Sequence, residues 1–155
     1  MITCLADVDV TALAAWIGAI DFADWPQQDR LADGQLRPAM VSDLNWHGFG
    51  LMTEVLVQAC LSYFPEGCMS RERMLSVVMP GHDIPAHTDQ QNARWIARIH
   101  VPLLTNDRAV FVVDGIPYPL EVGKAYQVDP RRHHAIRNDG ATPRVHFIFD
   151  VWGPA

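Results

Sequence analysis

His87-Thr88-Asp89 is the stretch of this chain best suited to chemistry. In extended backbone, residues i and i+2 point to the same side, so an imidazole and a carboxylate can reach one ion from a short piece of chain. A third ligand has to come from elsewhere, and His134, which begins a strand candidate, is assigned to it. Two histidines and one carboxylate on one face of an octahedral metal are the set that non-haem Fe(II) sites use, and they leave three positions open. Further along lies Arg144. A turn near Asp139-Gly140 is expected to fold the segments of His134 and Arg144 into a hairpin, with His134 across from His146 and beside Arg144. A buried guanidinium beyond the metal is what a dicarboxylate requires, because it can grip the far carboxylate bidentately.

Each residue also has a plainer reading. His87 and Asp89 could be a loop pair near Pro85, His134 could sit on the surface beside Arg131, Arg132 and His133, and Arg144 could pair with an aspartate at a strand edge. Their joint order on suitable strands favours the metal. His133 competes with His134 for the ion, and the interval from 134 to 144 favours His134. His47 is read as a loop residue and His82 as an exposed one.

The elements that must hold these residues are mostly strands. Apolar, β-rich segments occur at Met74–Met79, Trp95–Leu104, Ala109–Val113 and Arg144–Trp152, with shorter candidates near Ile116–Leu120, Ala125–Val128 and His134–Ile136. Pro80-Gly81, Asp114-Gly115, Val122-Gly123 and Asn138-Asp139-Gly140 punctuate them as turns. The first third reads as helical, with Asp9 or Thr11 capping a helix over Ala12–Ile20 and a longer one from Phe49 to Tyr63. Trp25–Met40 and Gln90–Arg94 are the expected lids. The sum is a β-sandwich or jelly roll buttressed by N-terminal helices.

Two strands carry a further hint. Arg144, His146, Ile148, Asp150 and Trp152 share one face of the last strand, and Ile96, Arg98 and His100 share one face of an earlier one. Such faces either look into water or line a ligand cavity with helices covering the apolar side, and alternation leaves both readings open.

Composition narrows the function classes. A net charge of −6 disfavours nucleic acid, which needs a concentrated basic surface. Cys4, Cys60 and Cys68 form no metal-ligand pattern and point to a reducing, cytoplasmic setting. The apolar run from Ala12 to Ile20 follows Asp7 and Asp9 rather than basic residues, and it is short of the roughly twenty apolar residues of a membrane span. A soluble protein with no membrane partner is expected.

From Met74 to Trp152 the chain resembles the catalytic core of the aspartyl/asparaginyl β-hydroxylases, within the 2-oxoglutarate oxygenases. The resemblance rests on Ser76 with Pro80-Gly81, His87-Thr88, Arg98-Ile99-His100, His134, Arg144 and Asp150-Val151-Trp152-Gly153-Pro154. It implies a double-stranded β-helix (a cupin-like jelly roll), iron on His87 and His134, and 2-oxoglutarate contacts from Ser76, Arg98, His100 and Arg144. Asp89 is a difference: aspartyl-residue hydroxylases of the animal type carry glycine there, whereas relatives that hydroxylate free amino acids such as proline carry the carboxylate. The expectation is thus one oxygenase domain over 1–155, a helical buttress at 1–72 and a jelly-roll core at 73–155. It would use Fe(II), 2-oxoglutarate and O2 to hydroxylate an unactivated C–H of an amino acid, free or peptide-bound. The alternative is a cupin-like metal-binding or sensing protein without oxygenase turnover.

Overall fold

Two antiparallel sheets face each other, and each is built from strands distant in sequence. The computed structural model describes residues 2–22, 35–40, 49–89 and 92–155. In chain order the elements are β1 (Ile2–Asp7), α1 (Thr11–Gly18), β2 (Gln35–Met40), α2 (Phe49–Leu61), β3 (Met69–Val78), β4 (His82–His87), β5 (Trp95–Leu104), β6 (Ala109–Val113), β7 (Ile116–Tyr118), β8 (Lys124–Val128), β9 (His134–Asn138) and β10 (Arg144–Trp152). The major sheet runs β1-β8-β5-β10-β3-β2 and the minor sheet β4-β9-β6-β7. This is the jelly-roll architecture, mainly β with helices toward the N-terminus.

Strand alternation decides what each face of the major sheet does. Val145, Phe147, Phe149 and Val151 of β10 and Ala97, Ile99, Val101 and Leu103 of β5 are buried in one core with Leu13 and Ile17 of α1 and Phe49, Leu56, Val57 and Cys60 of α2. The helical residues recur at i, i+4, i+7 and i+8, the spacing of a single apolar stripe. Trp16 and Phe49 bring the two helices together, their rings 4.9 Å apart. The opposite face of β10 is equally inaccessible: Arg144, His146 and Asp150 are each 2% exposed. The polar face therefore looks into the sandwich, and the helices cover the apolar one. Between the sheets, Ile84, Phe111, Val113, Tyr126, Val128 and Ile136 form a second core.

Two expectations are corrected. The first third is not wholly helical, because β1 and β2 lie within it and β3 begins at Met69. Both of these strands are edges of the major sheet, paired on one side only. β1 buries no residue completely, and β2 contains Pro38, which cannot donate to a ladder and is tolerated at an edge. The second correction concerns the hairpin joining His134 to Arg144. β9 pairs with β4 and β6, whereas β10 pairs with β3 and β5, so the two lie in different sheets.

The crossing between them is built by Asn138, which is fully buried. Its side-chain amide donates to the carbonyls of Val78 and Thr142, tying the exit of the minor sheet to a strand of the major one. Gly140 leaves room there for the Asn106 side chain, which a Cβ would force to shift. The Asp114-Gly115 turn does close a hairpin, β6–β7, with φ of 48° and 82°, the left-handed pair that matches strand twist. The N-terminus of α1 has no side-chain cap on its N-cap residue Val10, although the Asp9 carboxylate accepts the Thr11 amide at 3.0 Å.

Candidate active site

β4 and β9 pair so that His87 stands directly opposite His134. Just past β4, the Asp89 amide donates to the Pro130 carbonyl at 3.0 Å, which fixes the loop carrying the carboxylate beside the approach to β9. The ring centroids of the two histidines are 4.4 Å apart. His87 Nδ1 lies 2.8 Å from the Pro85 carbonyl and His134 Nδ1 lies 2.9 Å from that of Arg132. A carbonyl only accepts, so each ring holds its proton on Nδ1 and turns a bare Nε2 inward. These Nε2 atoms are 3.8 Å and 3.5 Å from the Asp89 carboxylate oxygens.

One ligand atom from each of the three residues lies within 4.8 Å of the others, a spread that a single ion can bridge. Burial holds the His134 pKa below its ordinary value and favours the neutral imidazole that ligates metals. His133, the competitor, is exposed, as is His82. His47, residues 25–34, Gln90 and Gln91 lie outside the described residues; the remainder of the first expected lid is β2.

Arg144 shares the cavity. Its guanidinium donates to Ser76 Oγ at 3.3 Å and to His146 Nδ1 at 2.7 Å. No carboxylate pairs with it among the described residues, and burial pushes its pKa down to about 9. A fully buried cation held only by neutral groups is costly unless an anion joins it. Such a guanidinium suits an anion, and a carboxylate matches its planar donor fork. His100 completes this end, its Nδ1 3.3 Å from His146 Nδ1.

Arg98 bridges the two ends differently from the cosubstrate contact expected of it. Nε and Nη2 grip Asp150 at 2.7 Å and 3.0 Å, while Nη1 donates to Asp89 at 2.9 Å. These bonds engage three of its five N–H groups and fix the Asp89 carboxylate. The pairing follows from register, since Arg98 and Asp150 face each other across β5 and β10. Ser76, His87, Asp89, Arg98, His100, His134 and Arg144 all line one cavity of about 170 Å³. Sequence reasoning does not single out Asp150 and His146 as site residues, although the alternation of β10 puts both on the face of Arg144.

Residues 40–154 match the model of the family described as Aspartyl/Asparaginyl beta-hydroxylase. The chain belongs to this family. No curated protein matches it in sequence. Among solved structures it is similar to AviO1 from Streptomyces viridochromogenes Tue57, at 15% identity and TM-score 0.74 over 99% of this chain and 90% of that one. It is similar to EvdMO1 at 16% identity and TM-score 0.73, again over 99% of this chain, but spans only 47% of that longer protein. A 2OG-Fe(II) oxygenase family protein from Burkholderia pseudomallei aligns at 15% identity and TM-score 0.61, over 92% and 79% of the two chains. At these identities the likeness is one of fold. Membership of the family indicates a hydroxylase, and the fold is one shared with these structures.

Proposed function

We propose that His87, Asp89 and His134 hold Fe(II), that Arg144 and Ser76 take the far carboxylate of 2-oxoglutarate, and that the protein hydroxylates an unactivated C–H of an amino acid, free or peptide-bound. The observation that carries this reading is the buried Arg144 guanidinium, without a carboxylate partner among the described residues, in the same cavity as the His-Asp-His group. A metal site alone would suit a binding or sensing protein; an anion site beyond it suits a dicarboxylate cosubstrate. Bound iron with 2-oxoglutarate would supply the activation of O2 needed to oxidise such a bond.

The chain's own residues position and shield. The carbonyls of Pro85 and Arg132 orient the imidazoles, and Arg98 holds the Asp89 carboxylate with N–H groups to spare for a carboxylate of the cosubstrate. His146 aims the Arg144 fork, and His100, kept neutral by burial and by Arg144, leaves that cation uncontested. Ile84, Phe111, Ile136 and Ile148 line the same cavity and exclude water from it. The setting is proposed to be cytoplasmic, with Cys4, Cys60 and Cys68 all free thiols. No helix among the described residues is long and apolar enough to cross a membrane.

Arg144→Ala tests the assignment. Titrations of the Fe(II)-loaded protein under nitrogen should show 2-oxoglutarate affinity reduced roughly a hundredfold, the scale of a buried charge pair broken on one side, with iron affinity unchanged. Unaltered cosubstrate affinity would refute the role.

A further inference from the structure

Outside the inner cavity lies a cleft of about 510 Å³, lined by Glu72, Asn92, Trp95, Asp150 and Trp152 and sharing Met74, Asp89 and Arg98 with the metal end. A molecule seated in it would reach the Asp89 side of the site. The charges around it are unevenly committed. Asp150 is gripped by two nitrogens of Arg98, and Asp89 by the third. Glu72 has no hydrogen bond or ion pair among the described residues. Arg71, its neighbour, lies instead over the Trp152 ring at 4.7 Å, and Arg98 lies over the Trp95 ring at 4.7 Å.

Glu72 reaches this position through a bulge. The β3–β10 register pairs Ile148 with Met74 but Asp150 with Arg71, so β3 carries one extra residue there, and Glu72 has φ 51°. Such a bulge turns a side chain away from the regular alternation and often stands beside an active site. A solvent-facing carboxylate that makes no hydrogen bond or ion pair among the described residues, in a cleft it shares with the Asp89 and Asp150 carboxylates, suits a cation, which gains from a charge-assisted contact.

We infer that the outer cleft is the substrate site and that Glu72 reads a cationic group, an ammonium or guanidinium, on the molecule to be oxidised. This deepens the oxygenase reading and rests on it. It narrows the substrate class to a charged amine or amino acid, in preference to a neutral or N-blocked residue.

The test uses matched pairs on the protein loaded anaerobically with Fe(II) and 2-oxoglutarate: L-arginine against L-citrulline, L-lysine against Nε-acetyl-lysine, and L-proline against N-acetyl-proline. Calorimetry should show the member with the additional ammonium or guanidinium in at least one pair binding roughly tenfold tighter or more, the scale of one charge-assisted hydrogen bond. Glu72→Gln should remove that preference while the partner lacking that group binds both forms alike. Glu72→Asn, which tolerates left-handed backbone, should do the same and separates charge from local folding. Equal affinities within every pair, a preference that survives both substitutions, or no binding by any cation each overturn the inference. 2-Oxoglutarate is titrated first on the same sample. If it binds and the pairs are not discriminated, only the Glu72 assignment fails; if it does not bind, the reading of the inner site fails and takes this one with it.

Discussion

His87 and His134 sit on the minor sheet facing Asp89, whereas His100 and His146 sit on the major sheet facing Arg144. The Phe111 ring lies between the pairs, stacked on His134 at 5.6 Å and edge-on to His100 at 5.0 Å. In the first pair each Nδ1 is occupied by a backbone carbonyl and each Nε2 is left toward a carboxylate. In the second pair, His146 Nδ1 accepts from a guanidinium that can only donate, so the His146 proton is on Nε2, and His100 Nδ1 lies 3.3 Å away. The same side chain becomes a candidate metal ligand in one setting and a neutral support for a cation in the other. What decides is which partner claims Nδ1 and what charge the ring faces.

The largest effect that can break this division is on iron. His134→Ala should lower Fe(II) affinity by more than the roughly 10–100-fold that outer partners of metal ligands carry, and His100→Gln should leave it unchanged, in anaerobic Fe(II) titrations. Iron retained by the first variant or lost from the second collapses the distinction between the pairs. A smaller effect falls on the cosubstrate. His146→Leu leaves a guanidinium N–H without its acceptor, so 2-oxoglutarate affinity should fall about tenfold while iron affinity holds. An equal loss of both would mean that His146 supports the fold in general rather than the aim of Arg144.

Acid should separate the pairs most gently. Burial first, and Arg144 next, hold His100 and His146 well below the ordinary pKa of 6.5. The unfolded chain therefore binds more protons than the native one once the pH falls below that value. Stability is full above it and declines as acid is added, by up to about 1.4 kcal/mol per pH unit for each histidine. Denaturant midpoints between about pH 7 and pH 5 measure the slope, which should be shallower in His146→Leu. An identical slope in that variant would place the acid sensitivity elsewhere.

Much of this arrangement is readable from local pattern. Alternation is a property of single strands, so the bounds of β5, β6 and β10 and the two-faced character of β5 and β10 can be found without knowing their partners. The i, i+2 relation of His87 and Asp89 and the apolar stripe of α2 are local in the same sense. Edge strands such as β1 and β2 escape such reading because one side has no partner to demand a pattern. Glu72 escapes it because a bulge exists only relative to the strand opposite.

The sequence alone pointed to the candidate ligand types, to the strand that begins at His134 and to a β-sandwich or jelly-roll class, since these follow from side-chain chemistry and from a backbone that repeats every two residues. Only the tertiary structure decided that His134 meets His87 across β4 and β9, while Arg144 approaches from the opposing sheet rather than along a hairpin. It also decided that Arg98 is held by Asp150 and Asp89, and that the polar face of β10 looks inward. Pairing joins residues far apart in the chain, and which strands pair depends on how both sheets and both helices bury their apolar faces together.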